Sequence, residues 1–183
     1  PLQVTVGESY RVPFKVSKAW IQDRDLLRAD EKKGFLYLTP LRKGQTTLKL
    51  DERSYSFQAI TPEALKYFKS FKKKTPWIGV SNDFIGGELT FTGNLHMYTF
   101  YQEMVKRALT HKSTFALSTS MSDELKNKVY AFIKDVLKRS HLPDPGVAAS
   151  NPLEITLSPT NPRLAEYQSV LGSIGVRVIV RRD

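Results

Sequence analysis

The residues able to do chemistry are few and dispersed along the chain. The three histidines, His96, His111 and His141, stand far apart without acids at ligand spacing, and neither an HExxH pattern nor a carboxylate-rich loop occurs. They read as solvated or capping residues. Nucleophilic catalysis needs a hydroxyl beside a base that a third group orients. Ser17, Ser54 and Ser70 lack the glycine-flanked strand-to-helix elbow, and Ser120 and Ser122 are better placed as helix caps. Acids fall in mixed-charge surface segments such as Asp23-Arg24-Asp25 and Asp30-Glu31-Lys32. The absence of cysteine removes disulfides, thiolate metal sites and cysteine nucleophiles together.

Two glycine pairs could suggest phosphate or nucleic-acid binding. Gly86-Gly87 lacks the lysine and hydroxyl of a P-loop and reads as a hairpin turn. Gly172-Ser173-Ile174-Gly175 has the GxxG form of a KH loop, but it links a helix to a strand, whereas a KH loop joins two helices. Gly172 therefore reads as a helix C-cap and Gly175 as a turn. Phe68, Phe71 and Tyr101 fall on core faces, and Trp20 and Trp77 are isolated, so base stacking is not their expected role. The expectation is a protein that is not an enzyme, with no catalytic, cofactor-binding or metal-binding residues. Its candidate residues are partner contacts: Lys72, Lys73 and Lys74, the loop from Pro143 and Asp144 to Asn151, and the basic tail Arg177, Arg181 and Arg182.

The elements that would position these residues divide into three segments. Residues 1–60 read as short strands, in which Leu2, Val4 and Val6 alternate, then Tyr10, Val12 and Phe14, Leu36 and Leu38, Leu48 and Leu50, and Tyr55, Phe57 and Ala59. Gly7-Glu8, Lys33-Gly34 and Lys43-Gly44 mark turns, and Pro13 places its strand at an edge or bulge. A helix opens at Thr61-Pro62-Glu63, with Ala64, Leu65, Phe68 and Phe71 as its buried stripe and Pro76 beyond its end. The lysine run lies where that helix ends, so its charges complement the carbonyl end of the dipole.

Then follow a strand around Trp77 to Ser81, the glycine turn, a strand Leu89 to Gly93, a helix from Thr99 to Leu109 and a strand Phe115 to Thr119. Tyr101, Met104, Val105 and Ala108 share one helical face, leaving Glu103, Lys106 and Arg107 toward solvent. The third segment opens with Ser122, Asp123 and Glu124 at the start of the longest helix, which carries Leu125, Val129, Phe132, Ile133 and Val136. His141 to Pro152 reads as an exposed, mobile loop. A strand with Leu153, Ile155 and Leu157, a helix from Asn161-Pro162 with Leu164, Tyr167 and Leu171, and a strand with Val176, Val178 and Val180 complete it. The fold class expected is α+β: an all-β domain at 1–60, an α-β-β-α-β module at 61–121 and a second helix-plus-sheet module at 122–183.

Twenty-eight basic residues against eighteen acidic give a net charge of +10. Such an excess raises nucleic acid or an anionic surface such as lipid or peptidoglycan as a partner. It is spread over all three segments, however, and nucleic acid is not the expected partner. No run reaches the roughly 18 apolar residues of a membrane-spanning helix, and the first residues lack the pattern of a signal peptide. The chain begins at Pro1 without methionine and reads as an excised or processed segment.

Residues 2–60 resemble the pilus-formation domain at the amino terminus of tight-adherence pilus secretins. Val4-Thr5-Val6-Gly7-Glu8-Ser9 fits the Val-x-x-Gly-x-Ser opening of that family, and Gly44-Gln45-Thr46-Thr47-Leu48-Lys49-Leu50 fits its Gly-x-Thr-Thr-Leu strand. The family continues with a BON-like α-β-β-α-β module, to which Leu89-Thr90-Phe91-Thr92-Gly93-Asn94 is similar. The third module looks like a secretin N-domain in outline. Ile21 to Leu26 is more charged than the family pattern, and the 141–152 loop is peculiar to this chain. The resemblance implies a periplasmic segment of an outer-membrane-associated channel that forms a homo-oligomeric ring and meets inner-membrane or pilus assembly components. It carries over no catalytic residues or cofactors. The alternatives are a periplasmic adaptor that binds an anionic surface or peptidoglycan, and a basic nucleic-acid-binding module.

Overall fold

The computed structural model describes residues 2–72 and 74–181, and its mixed helices and small sheets are α+β. The chain forms two compact units, one running to Lys66 and including Phe84–Glu88, the other comprising Tyr67–Asp83 and the chain from Leu89 onward.

The first unit is built from β1 (Leu2–Thr5), β2 (Tyr10–Arg11), β3 (Ala19–Ile21), β4 (Leu27–Lys32), β5 (Phe35–Pro40), β6 (Gly44–Leu50) and β7 (Arg53–Ile60). These make a four-stranded sheet in the order β1-β7-β6-β3 and a three-stranded sheet in the order β2-β5-β4. β1 runs parallel to β7, and the other paired strands are antiparallel. Alternation sends Val4, Leu48, Phe57 and Ala59 of one sheet and Leu27 and Leu38 of the other into a shared core, which Val12 and Leu26 complete.

Two of these strands were not anticipated. β3 is three residues long with Ala19 and Trp20 exposed, and β4 runs into Asp30-Glu31-Lys32, which had read as a surface segment. β4 tolerates its charges because it is a sheet edge, where they also discourage pairing with foreign strands. The strand at Tyr10 is shorter than expected. It stops before Pro13, and Phe14 is left exposed.

The second unit begins within α1 (Pro62–Lys69) and takes in β8 (Val80–Ile85) as far as Asp83, β9 (Glu88–Asn94) from Leu89, α2 (Tyr98–Thr110), β10 (Ala116–Ser120), α3 (Asp123–Arg139), β11 (Glu154–Leu157), α4 (Leu164–Gly172) and β12 (Arg177–Val180). Its sheets are β10-β9-β8, in which β10 runs parallel to β9, and the parallel pair β11-β12. The Thr61 hydroxyl accepts from the Ala64 amide at 3.2 Å, and the Ser122 hydroxyl accepts from the Leu125 amide, so α1 and α3 start at the expected caps.

An aromatic cluster fills this unit. Trp77 meets Phe91 edge-on at 5.3 Å between ring centroids, and Tyr67 stands edge-on to Phe71, Phe91 and Phe115. Tyr67, outside the expected stripe, is the deepest residue of α1, whereas Phe68 is only half-buried. Trp77 is neither isolated nor in a strand, since β8 starts at Val80. Its indole N–H donates to Glu103 Oε2 at 2.9 Å, giving a partner to an acid expected to face only solvent.

The α3–β11 loop also differs from expectation. Leu142, Val147 and Leu153 are buried, the Tyr167 hydroxyl donates to the Pro143 carbonyl at 2.6 Å, and Arg163 donates to the His141 carbonyl at 2.7 Å. Its prolines identify a loop correctly, but contacts from α4 pin that loop down. At its end, α4 approaches the rest of its unit closely. The Phe115 amide donates to the Gly172 carbonyl, the Tyr101 hydroxyl donates to the Ile174 carbonyl at 2.7 Å, and the Phe115 ring lies against Gly175.

Candidate functional site

The described residues among the expected partner contacts lie in three separate segments of the second unit. Lys72 and Lys74 are exposed in the segment between α1 and β8, and Lys73 falls outside the described residues. Lys72 has a positive φ of 50°, which turns the chain away just after α1 ends at Lys69. The same segment carries Ile78, 81% exposed. Beside it, Arg107 donates to the Ser70 carbonyl and stands over the Trp77 ring. Lys72 and Lys74 thus lie past the C-terminus of α1, as their sequence position suggests.

Pro143 and Asp144 serve their own loop. Asp144 Oδ1 accepts from the amides of Gly146 and Val147, and its other carboxylate oxygen pairs with Lys134 of α3. A carboxylate committed in this way holds the loop's shape rather than waiting for a partner. Arg177 lies at the start of β12 and pairs with Glu154 of β11 at 3.5 Å. Arg181 follows β12 and is exposed, and Arg182 lies outside the described residues.

Sequence patterning could not show which strand edges remain unpaired. In the parallel β11-β12 ladder the Arg177 amide donates to the Leu153 carbonyl at 2.8 Å, and the Arg181 amide donates to the Leu157 carbonyl at 3.0 Å. Residues 177, 179 and 181 therefore turn their backbone groups toward β11. Val178 and Val180 turn theirs to the opposite edge, where no strand lies among the described residues. On the inner face Ile155 and Leu157 are buried while Val178 and Val180 are half-buried, so cover thins toward the edge. Ile179, on the outer face, is 39% exposed.

Cavities offer less. An open groove of about 380 Å³ between α2 and α3 is lined by Val105, Leu109 and Phe132, with Lys106 at its rim. In the first unit a shallow pocket of about 290 Å³ lies against Ile21, Leu27, Arg24 and Arg28. Neither gathers a nucleophile, a base and an orienting group. Among the described residues no three His, Asp or Glu side chains are grouped as a metal site would require, and no helix is long and apolar enough to cross a membrane.

The perturbed ionisations have structural causes. Burial pushes the hydroxyls of Tyr67 and Tyr101 well above the usual tyrosine range, and each donates to a carbonyl, that of Met104 and that of Ile174. The bond from Arg163 holds the Glu166 carboxyl below its ordinary value, on the exposed surface of α4. His111 closes α2 and stacks on Tyr67, which fits a capping residue.

No protein-family model matches this chain, and no curated protein sequence matches it significantly.

Proposed function

We propose that this chain is a docking and assembly segment of the secretin type, working by protein contact in a periplasmic, ring-forming channel for pilus biogenesis or secretion. The observation that carries this reading is the order of elements. An all-β unit is followed by α1-β8-β9-α2-β10 and then by α3-β11-α4-β12. That order, with the Val4-to-Ser9 motif running from the end of β1 into the turn after it and the Gly44-to-Leu50 motif on β6, is the one expected of a pilus-formation domain, a BON-like module and a secretin N-domain. The small sheets support the same reading. Each leaves strand edges free among the described residues, as suits modules that associate with neighbours.

The chain contains no cysteine, so single cysteines become unambiguous reporters. Lys72→Cys and Arg177→Cys, introduced singly into the gene in its own cell, are expected to give disulfide- or bis-maleimide-linked dimers of neighbouring subunits in the outer-membrane fraction. Gene products confined to the cytosol, with no crosslinked dimers from either cysteine, would overturn the proposal.

A further inference from the structure

We infer that the edge of β12 left free among the described residues takes up an extended segment of another protein, one with an acidic residue at each end of a short uncharged stretch, by adding it as a third strand to the β11-β12 sheet. This rests on the docking reading above and names the surface and the chemistry of its partner.

The backbone supplies the first half of the argument. The donors and acceptors of Val178 and Val180 face away from β11, and the four paired residues of β12 follow one another in register without a bulge. An added strand would satisfy these groups and continue the ladder. It would also cover the half-buried Val178 and Val180 on the inner face and Ile179 on the outer face. A two-stranded parallel pair gains much from a third strand, because so small a sheet is weak alone.

Charge decides the occupant. The edge reads Arg177-Val178-Ile179-Val180-Arg181, with a cation at each end and apolar residues between them. Two copies paired antiparallel about Ile179, the two-fold arrangement, would set Arg177 opposite Arg181 twice. Like charges directly opposite destabilise a ladder, so a second copy is disfavoured. An incoming strand with acids flanking a Val or Thr centre meets both arginines favourably. Arg177 already pairs with Glu154, leaving Arg181 as the stronger discriminator.

The test uses the full ¹⁵N-labelled chain titrated with two end-blocked peptides, Glu-Val-Thr-Val-Glu and Lys-Val-Thr-Val-Lys. Expected are amide shifts centred on 177–181, slowed exchange of the Val178 and Val180 amides, and about three- to tenfold tighter binding of the acidic peptide. Val178→Pro removes an outward N–H that takes no part in the β11 ladder, so it should abolish peptide binding while the spectrum stays folded. If that variant unfolds, Arg181→Glu decides the matter, since it should remove or reverse the preference for the acidic peptide. Shifts elsewhere, no shifts at all, equal binding of both peptides, or a preference untouched by Arg181→Glu would overturn the inference. Cysteine-linked dimers that persist in such a case would leave the assembly reading standing, and edge binding in a cytosolic product that gives no crosslinked dimers would sink that reading alone.

Discussion

At the scale of single residues, the second unit depends on two tyrosine hydroxyls buried against carbonyls. Tyr101 bonds the Ile174 carbonyl and Tyr67 the Met104 carbonyl, and burial raises both above their unfolded value. A raised acid keeps its proton in the folded chain while the unfolded chain loses it near pH 10. The stabilising contribution is therefore complete below about pH 10 and declines above it, by about 1.4 kcal/mol per pH unit for each tyrosine. The urea midpoint should stay flat on this account up to about pH 9 and fall from about pH 10. Tyr101→Phe should make that alkaline slope shallower, and at neutral pH it should cost about 1–3 kcal/mol because the Ile174 carbonyl loses its donor. An unchanged slope would mean that the hydroxyl ionises as freely in the folded chain as outside it. Gly175 is the second sensitive position. Its φ is +81°, and an added Cβ would stand 2.6 Å from the Phe115 ring. Gly175→Ala should therefore lower stability by about 1–3 kcal/mol in the same assay, through strain and overpacking together.

At the scale of elements, what could be read in advance depended on how much of an element's character is local. α2 and α3 were legible because Tyr101, Met104, Val105 and Ala108, and Leu125, Val129 and Ile133, recur at helical spacing, in α3 behind a capping serine and two acids. Ser122→Ala should destabilise α3 by about 1 kcal/mol, read as a lower urea midpoint. A midpoint equal to that of the parent would show that the Ser122 hydroxyl is replaced there by water. β3 and β4 were illegible because one is three residues long and the other ends in three charges, so neither presents a sustained alternation. Tyr67 was missed because a tyrosine among lysines looks like surface. The 141–152 loop shows the same limit. Its prolines are a local signal, but the bonds from Tyr167 and Arg163 come from α4 and leave no trace in the loop's own sequence. Asp144→Ala removes the acceptor of the Gly146 and Val147 amides. Exchange of those two amides should quicken while the α3 amides stay protected. Equal protection of Gly146 and Val147 in the variant and the parent would mean that α4 alone holds the loop.

At the scale of the whole molecule, the candidate site was legible as residue types and not as a place. Arg177 and Arg181 stand out in any charge count, but whether they flank a free strand edge depends on the register of β12 against β11, a pairing set across the intervening helix α4. The same distinction between composition and pairing governs stability. Each unit has a core of its own, around Phe57, Leu38 and Leu48 in the first and around Phe91, Trp77 and Tyr67 in the second. Removing a fully buried ring leaves a cavity, at a cost of about 3–5 kcal/mol. Phe57→Ala should therefore strip hydrogen-exchange protection from β6 and β7 first, and Phe91→Ala from β9 and β10 first. The two tryptophans give an optical check, since Trp20 is in the first unit and Trp77 in the second. In Phe91→Ala the fluorescence transition of Trp77, followed in a Trp20→Phe background, should move to lower denaturant while protection of the β6-β7 pair persists. Protection lost to the same extent from both sets of strands, with either truncation, would mean that the chain unfolds as one cooperative body. In that case its cores could not serve as the separate supports that serial docking modules need.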